Sequence, residues 1–246
     1  MRRDSLSLIP RRRSGSALLP GEVGMQAIRG FEERLTAEEL VLLRGLSSPF
    51  RIQEFLDTIP YSVEEIYRSP LHVLRDRQAH CFDGALFAAA ALRRLGYPPL
   101  ILELVPNDRD DEHLLALYRC DGLWGAVGQS NFVGLRFREP LYRTLRELAL
   151  SYFEQYFNVQ REKTLRGYRK PLDLRVFDGL DWMASNDHLE AIAVRLDRMR
   201  PVPLVKPDLE ARLAPVDERT YRAGLLGADQ RGLYRPSLPA SSSAHG

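Results

Sequence analysis

The chain has 246 residues, 44% hydrophobic and 28% charged, with a formal net charge of +2 at pH 7. That balance describes a globular protein, and it supplies no basic excess that would draw in nucleic acid. No apolar run approaches the roughly 20 residues needed to span a bilayer, so no membrane association is expected.

Two cysteines, Cys81 and Cys120, are too few for a disulfide framework; reduced thiols and a cytoplasmic location are expected. The basic residues are almost all arginine, which reads as compositional bias. Residues 1–24 mix Arg, Ser, Gly and Pro without an apolar signal core, and residues 207–246 are similar in kind, so both are expected to be disordered tails. Between them, residues 25–206 read as one domain without internal repeats.

Thr36-Ala37-Glu38-Glu39 carries the capping-box pattern and predicts a helix to about Leu46. Arg51 to Thr58 predicts a short helix with Ile52, Phe55 and Leu56 on one face, stopped by Pro60. Ser62 to Arg68 reads as a further turn or two, closed by Ser69-Pro70. A central helix runs from near Cys81 to Gly96, with Pro98 and Pro99 just beyond. Its apolar positions, among them Leu86, Phe87, Leu92 and Leu95, cover most of its circumference, as in a buried helix.

Leu100 to Val105 predicts a central strand and Pro106 to Glu112 an acidic loop. His113 to Arg119 and Leu123 to Val127 flank Asp121-Gly122, the signature of a two-residue type I′ hairpin turn. That register sets Cys120 opposite Leu123, Tyr118 opposite Gly125 and, further down, His113 opposite Ser130. Val133, Leu135 and Phe137 alternate as a third strand. Pro140 opens a helix rich in Leu145, Leu148, Tyr152, Phe153, Tyr156 and Phe157, within a helical extension over 140–200. A last helix spans about Asp187 to Met199. Helices first and an antiparallel sheet after indicate an α+β fold.

The chemistry concentrates in Ala79-His80-Cys81-Phe82-Asp83-Gly84. A thiol on the first turn of a helix faces free backbone N–H groups and the helix dipole, which lower its pKa. An imidazole beside it would move its proton, the minimum for cysteine-based acyl transfer. His113, at the head of the hairpin, is the candidate. Cys81, His80 and His113 have no zinc-ligand spacing, and neither metal nor cofactor is expected. His72 and His188 are expected to be surface or core residues, and Cys120 to be structural or exposed. Asp108, Asp110, Asp111 and Glu112 read as a solvated loop, or as a device to raise the His113 pKa or select cationic substrates. Arg136, Arg138 and Arg143 face water or clamp a carboxylate. The aromatic cluster at Tyr152 to Phe157 is core.

Cys81, Leu95-Gly96, Leu100 to Val105, His113 to Tyr118 and Trp124 to Val127 follow one another in an order that resembles the transglutaminase-like superfamily, a papain-like fold, and a bacterial branch of it in particular. The likeness covers residues 70–135. It implies Cys81 as nucleophile, His113 as base and then acid, a thioester intermediate, and a peptide or other amide as substrate. It also implies an oxyanion site at the Cys81 backbone N–H, with Gln78 a candidate second donor and His80 a candidate substrate contact. The family's orienting Asp would fall on Gly128, which has no side chain. Asn131, chemically the better choice, and Ser130, with the better strand parity, are the candidates to replace it. A non-catalytic protein-binding module on the same fold is the alternative.

Overall fold

The computed structural model describes residues 20–235. Residues 1–19 and 236–246 of the expected tails lie outside the described residues. Five helices come first: α1 (Pro20–Glu32), α2 (Ala37–Gly45), α3 (Pro49–Asp57), α4 (Pro70–Asp76) and α5 (Cys81–Arg94). Strands β1 (Leu100–Pro106), β2 (His113–Cys120), β3 (Leu123–Val127) and β4 (Arg138–Tyr142) follow. Then come α6 (Leu145–Leu150), β5 (Leu165–Tyr168), β6 (Leu172–Asp173), α7 (Glu190–Asp197), β7 (Val202–Pro203), α8 (Pro207–Glu210) and α9 (Glu218–Gly224). The fold is α+β. Its sheet is antiparallel, in the order β4-β3-β2-β1-β5-β7, with β6 paired to the start of β1.

The capping box forms around Thr36, and the hairpin turn has positive φ at Asp121 (50°) and Gly122 (83°), as a type I′ turn requires. The register matches Cys120 with Leu123 and Tyr118 with Gly125.

Six features differ from expectation. Ser62 to Arg68 is irregular and the helix lies after it: Pro70 occupies the first helical position, where its missing N–H costs nothing, so the proline starts a helix and does not end one. Residues 133–135 form a 3₁₀ turn, and the strand begins later, at Arg138. Pro140 therefore sits in edge strand β4, and α6 begins at Leu145 behind a Thr144 cap. The β2–β3 ladder ends at Ala116 opposite Val127, so His113 and Ser130 are not strand partners. The 140–200 region also contains strands that its aromatic and helical patterning hides. The segment to residue 235 is structured as well: the Val216 N–H donates to Arg161 O at 2.8 Å, and Tyr221 Oη donates to Val159 O.

The sheet divides two cores. Ile101, Leu114, Ala116, Tyr118 and Val127 face α5, whose residues Phe82 to Arg93 are all buried. Leu102, Leu104, Leu115, Leu117 and Ala126 face Leu148, Ala149, Tyr152 and Tyr156 on the other side. Strand alternation puts His113 in register with the second set and Leu114 with the first.

After β3 the chain is held against the helices by side-chain amides. Gln53 of α3 receives the Gly128 N–H at 3.1 Å and donates to Gly128 O at 3.0 Å. Gln129 donates to Leu56 O and Ile59 O. Gly84 makes this approach possible: a Cβ there would lie 2.3 Å from that of Gln129. The segment 128–131 is thereby set beside the first turn of α5. Among the described residues, no helix is long and apolar enough to cross a membrane.

Candidate active site

The first turn of α5 is built by its neighbours. His80 is the N-cap: its Nδ1 accepts the Phe82 N–H at 3.1 Å, so Nε2 carries the proton and donates to Ile66 O at 3.2 Å. Both ring nitrogens are committed, and burial drives the ring pKa down to about 4. His80 is thus a neutral capping residue that also borders the larger of the cavities described below.

Asp83 is fully buried. Its carboxylate receives the Arg68 N–H at 2.7 Å and the His80 N–H at 3.4 Å. The Arg68 side chain, 1% exposed, reaches Ser62 Oγ (3.1 Å), Asp76 (3.0 Å) and Glu64, and lies 3.7 Å from Asp83. This network locks the irregular 62–69 segment to the helix start.

Cys81 is the first residue of α5 and is half-buried, with Sγ 3.7 Å from Glu112 O. The lowered thiol pKa expected at a helix N-terminus is not what the surroundings produce. Burial pushes the thiol up to about 12, and the nearby charges of Asp111 and Asp83 push the same way. The Leu114 and Phe82 N–H groups favour the thiolate but are outweighed. Iodoacetamide labelling of Cys81 is therefore expected to climb about tenfold per pH unit between roughly pH 7 and 10, because only the thiolate reacts. Labelling already at its plateau below pH 7, read by mass spectrometry, would contradict this.

His113, 4% exposed, presents Nε2 to Leu135 O at 2.7 Å. A carbonyl only accepts, so Nε2 holds the hydrogen and Nδ1 keeps its lone pair. Burial lowers the ring pKa to about 4, with Arg138 contributing in the same direction and the Leu135 carbonyl opposing. The acidic loop does not raise it. The ring is thus a neutral base in a single tautomer.

The orienting partner is a backbone atom. Gly128 does lie beside the ring: a Cβ there would be 3.5 Å from Nε2, but only 2.8 Å from Leu115 Cδ2. Neither expected substitute orients the ring. Asn131 donates from Nδ2 to Asp229 O and accepts the Asp229 N–H at Oδ1, both at 2.8 Å. Ser130 Oγ accepts the Phe132 N–H. Both side chains were reasonable by type, but the strand ends at Val127 and the chain turns them elsewhere.

Cys81 and His113 border one cavity of about 50 Å³, together with Tyr61, Ser130, Asn131 and Tyr156. Among the described residues no hydrogen bond joins the two. A larger cavity of about 470 Å³ also reaches Cys81, and its walls carry Glu64, Glu65, Glu103, Asp111, Glu112 and Asp197. The pKa of Glu103 is pushed up to about 7 by burial, against the pull of its ion pair with Arg169.

Two tyrosines join the site without a sequence signal. Tyr61 borders both cavities, set there by a parallel bridge to Ala79. Its phenol is held well above its usual pKa by burial and by the charges of Cys81 and Asp111, while the Cys81 N–H acts the other way as a hydrogen-bond donor. Tyr156 donates to Asp111 O at 2.6 Å and sets its ring edge-on to His113. Both are placed by long-range packing, which local patterning does not encode.

Comparison with known protein families and with curated proteins finds no match for this chain.

The other expected residues have structural partners. Gln78 turns to Glu64 at 3.3 Å and borders neither cavity. Arg138 stacks on Tyr152 and donates to Gly134 O and Ser151. Arg136 reaches Ser130 O and Asp57; Arg143 is exposed, and its backbone N–H donates to Glu147. His72 Nδ1 contacts Ser69 Oγ. Cys120 is an exposed free thiol at the hairpin turn. The acidic loop is anchored and not merely solvated: Asp110 accepts from Thr164, and Asn158 donates to Arg109 O. Among the described residues no three His, Cys, Asp or Glu side chains converge as metal ligands.

Proposed function

We propose that this protein is a cysteine-dependent enzyme of transglutaminase-like fold that cleaves or transfers an amide or peptide bond through a thioester. The observation that carries the reading is the shared cavity of Cys81, on the first turn of a buried helix, and His113, held as a single neutral tautomer by Leu135 O.

With both groups neutral, the dyad works by general-base catalysis and not as a standing ion pair. The Cys81 sulfur attacks the carbonyl carbon while its proton passes to His113 Nδ1. The C–N bond breaks as His113 returns that proton to the leaving amine, giving a thioester on Cys81. Water, or an acceptor amine, then attacks the thioester and gives up its proton to His113, which restores the thiol. The developing oxyanion is received by the Cys81 N–H, which releases Tyr61 Oη to donate to the same oxygen in the role that Gln78 does not fill. Removing one such donor costs about 2.7–4 kcal/mol of barrier. The carboxylate-lined cavity favours a cationic substrate over an anionic one.

A thiol-directed peptide probe tests the assignment. In the wild type and in Cys120→Ser, mass spectrometry is expected to find the adduct on Cys81, and Cys81→Ala should abolish both labelling and amide turnover. Turnover that survives Cys81→Ala would end the proposal. The second reading, a binding module without turnover, is favoured by the thiol pKa near 12 and by the glycine at position 128; it predicts no turnover in any variant.

A further inference from the structure

The far end of the described chain borders both cavities that reach Cys81. After α9, the chain turns at Gly227 (φ 76°), where nothing would crowd a side chain, and runs back across the cleft. Asp229 is gripped at both its N–H and its C=O by the Asn131 side-chain amide. Residues 230–232 form a 3₁₀ turn capped by Asp229. Gly232 is pressed so closely on Tyr61, Asn131 and Val63 that a Cβ would lie 3.1–3.2 Å from each. Leu233 is buried at 6% exposure. Gly232 and Tyr234 border both cavities that meet at Cys81, and Arg231 and Leu233 border the larger.

We infer that residues 230–234 are an autoinhibitory strap: they lie over the approach to Cys81, and a substrate chain reaches the sulfur only when they lift from Tyr61 and Val63. The device has the parts a strap needs. The Asn131 side-chain amide supplies a fixed anchor at Asp229, about which the residues that follow can swing, and Leu233 supplies a small apolar latch. It also gives Asn131 a role other than orienting His113. A latch of one leucine is weak enough to open on binding.

The strap concerns access to the thiol and not what the thiol does, so its test stands apart from the proposed enzyme activity. In full-length Cys120→Ser protein at constant alkaline pH, Cys81 alkylation is timed with iodoacetamide and with a bulky fluorescein maleimide. Leu233→Asp, which puts a charge at a buried position on the wall of the larger, carboxylate-rich cavity, should lift the strap. The expected result is at least a tenfold faster maleimide reaction, a much smaller change with iodoacetamide, and a melting temperature close to that of the parent. Leu233→Ser serves if Leu233→Asp fails to fold. Maleimide rates within twofold of the parent in a folded variant would overturn the strap.

Discussion

Arg68→Ala is expected to be the most destabilising single change near the site, by about 3–5 kcal/mol, because it leaves a buried carboxylate without its charge partner. The arginine joins four residues, Ser62, Glu64, Asp76 and Asp83, and Asp83 has no exposed surface from which water could replace it. Against a total stability of about 5–15 kcal/mol, that loss threatens the fold. The effect carries a pH signature. Burial already raises the Asp83 pKa to about 7, above its ordinary 3.8, even with Arg68 opposing. A carboxyl whose folded-state pKa is raised gives stability that is complete below its unfolded pKa and is lost as pH rises through the folded one. Without Arg68 the protonated form is favoured more strongly still. The gap between wild type and variant should therefore be wide at pH 8 and narrower at pH 5. Urea unfolding at the two pH values measures it, and an equal gap at both would show that the charge pairing is not the cause.

Under the proposed chemistry, His113→Ala should lower amide turnover about 10²- to 10⁴-fold, the usual worth of a general base, while Cys81 remains available to alkylation at high pH. The pH profile of the wild type distinguishes this base from an ordinary exposed histidine. In the proposed mechanism the working form is neutral imidazole, and burial lowers its pKa to about 4. Activity should therefore hold as pH falls through 6.5 and drop only near 4, with the thiol setting no alkaline limb until well above neutrality. An acid limb at 6.5 would show that the ring is solvated during turnover.

Much of the framework was legible before any coordinates. The Thr36 capping box, the apolar helix from Cys81 and the Asp121-Gly122 turn each encode their geometry within a few neighbouring residues. Hairpin counting gave the pairing of Tyr118 with Gly125 because one turn type sets the register. It failed at Ser130 because nothing local announces where a ladder stops; Gln53, 75 residues away, draws the chain off at Gly128. Pro70 and Pro140 are ambiguous in the sequence because proline marks a helix start, a helix end or an edge strand with the same residue, and only the surrounding packing decides which.

By itself, the sequence determined the local matters: an α+β order, a cysteine opening a buried helix, a histidine heading a hairpin, and a missing side chain at Gly128. The tertiary structure alone decided how those groups behave. Protonation depends on how much protein surrounds a group, and so the thiol goes up and both His80 and His113 go down. Hydrogen-bond partners depend on which distant segments arrive. A carbonyl from Leu135 orients the ring, Tyr61 stands beside the thiol, and Asn131 grips Asp229, 98 residues further along the chain.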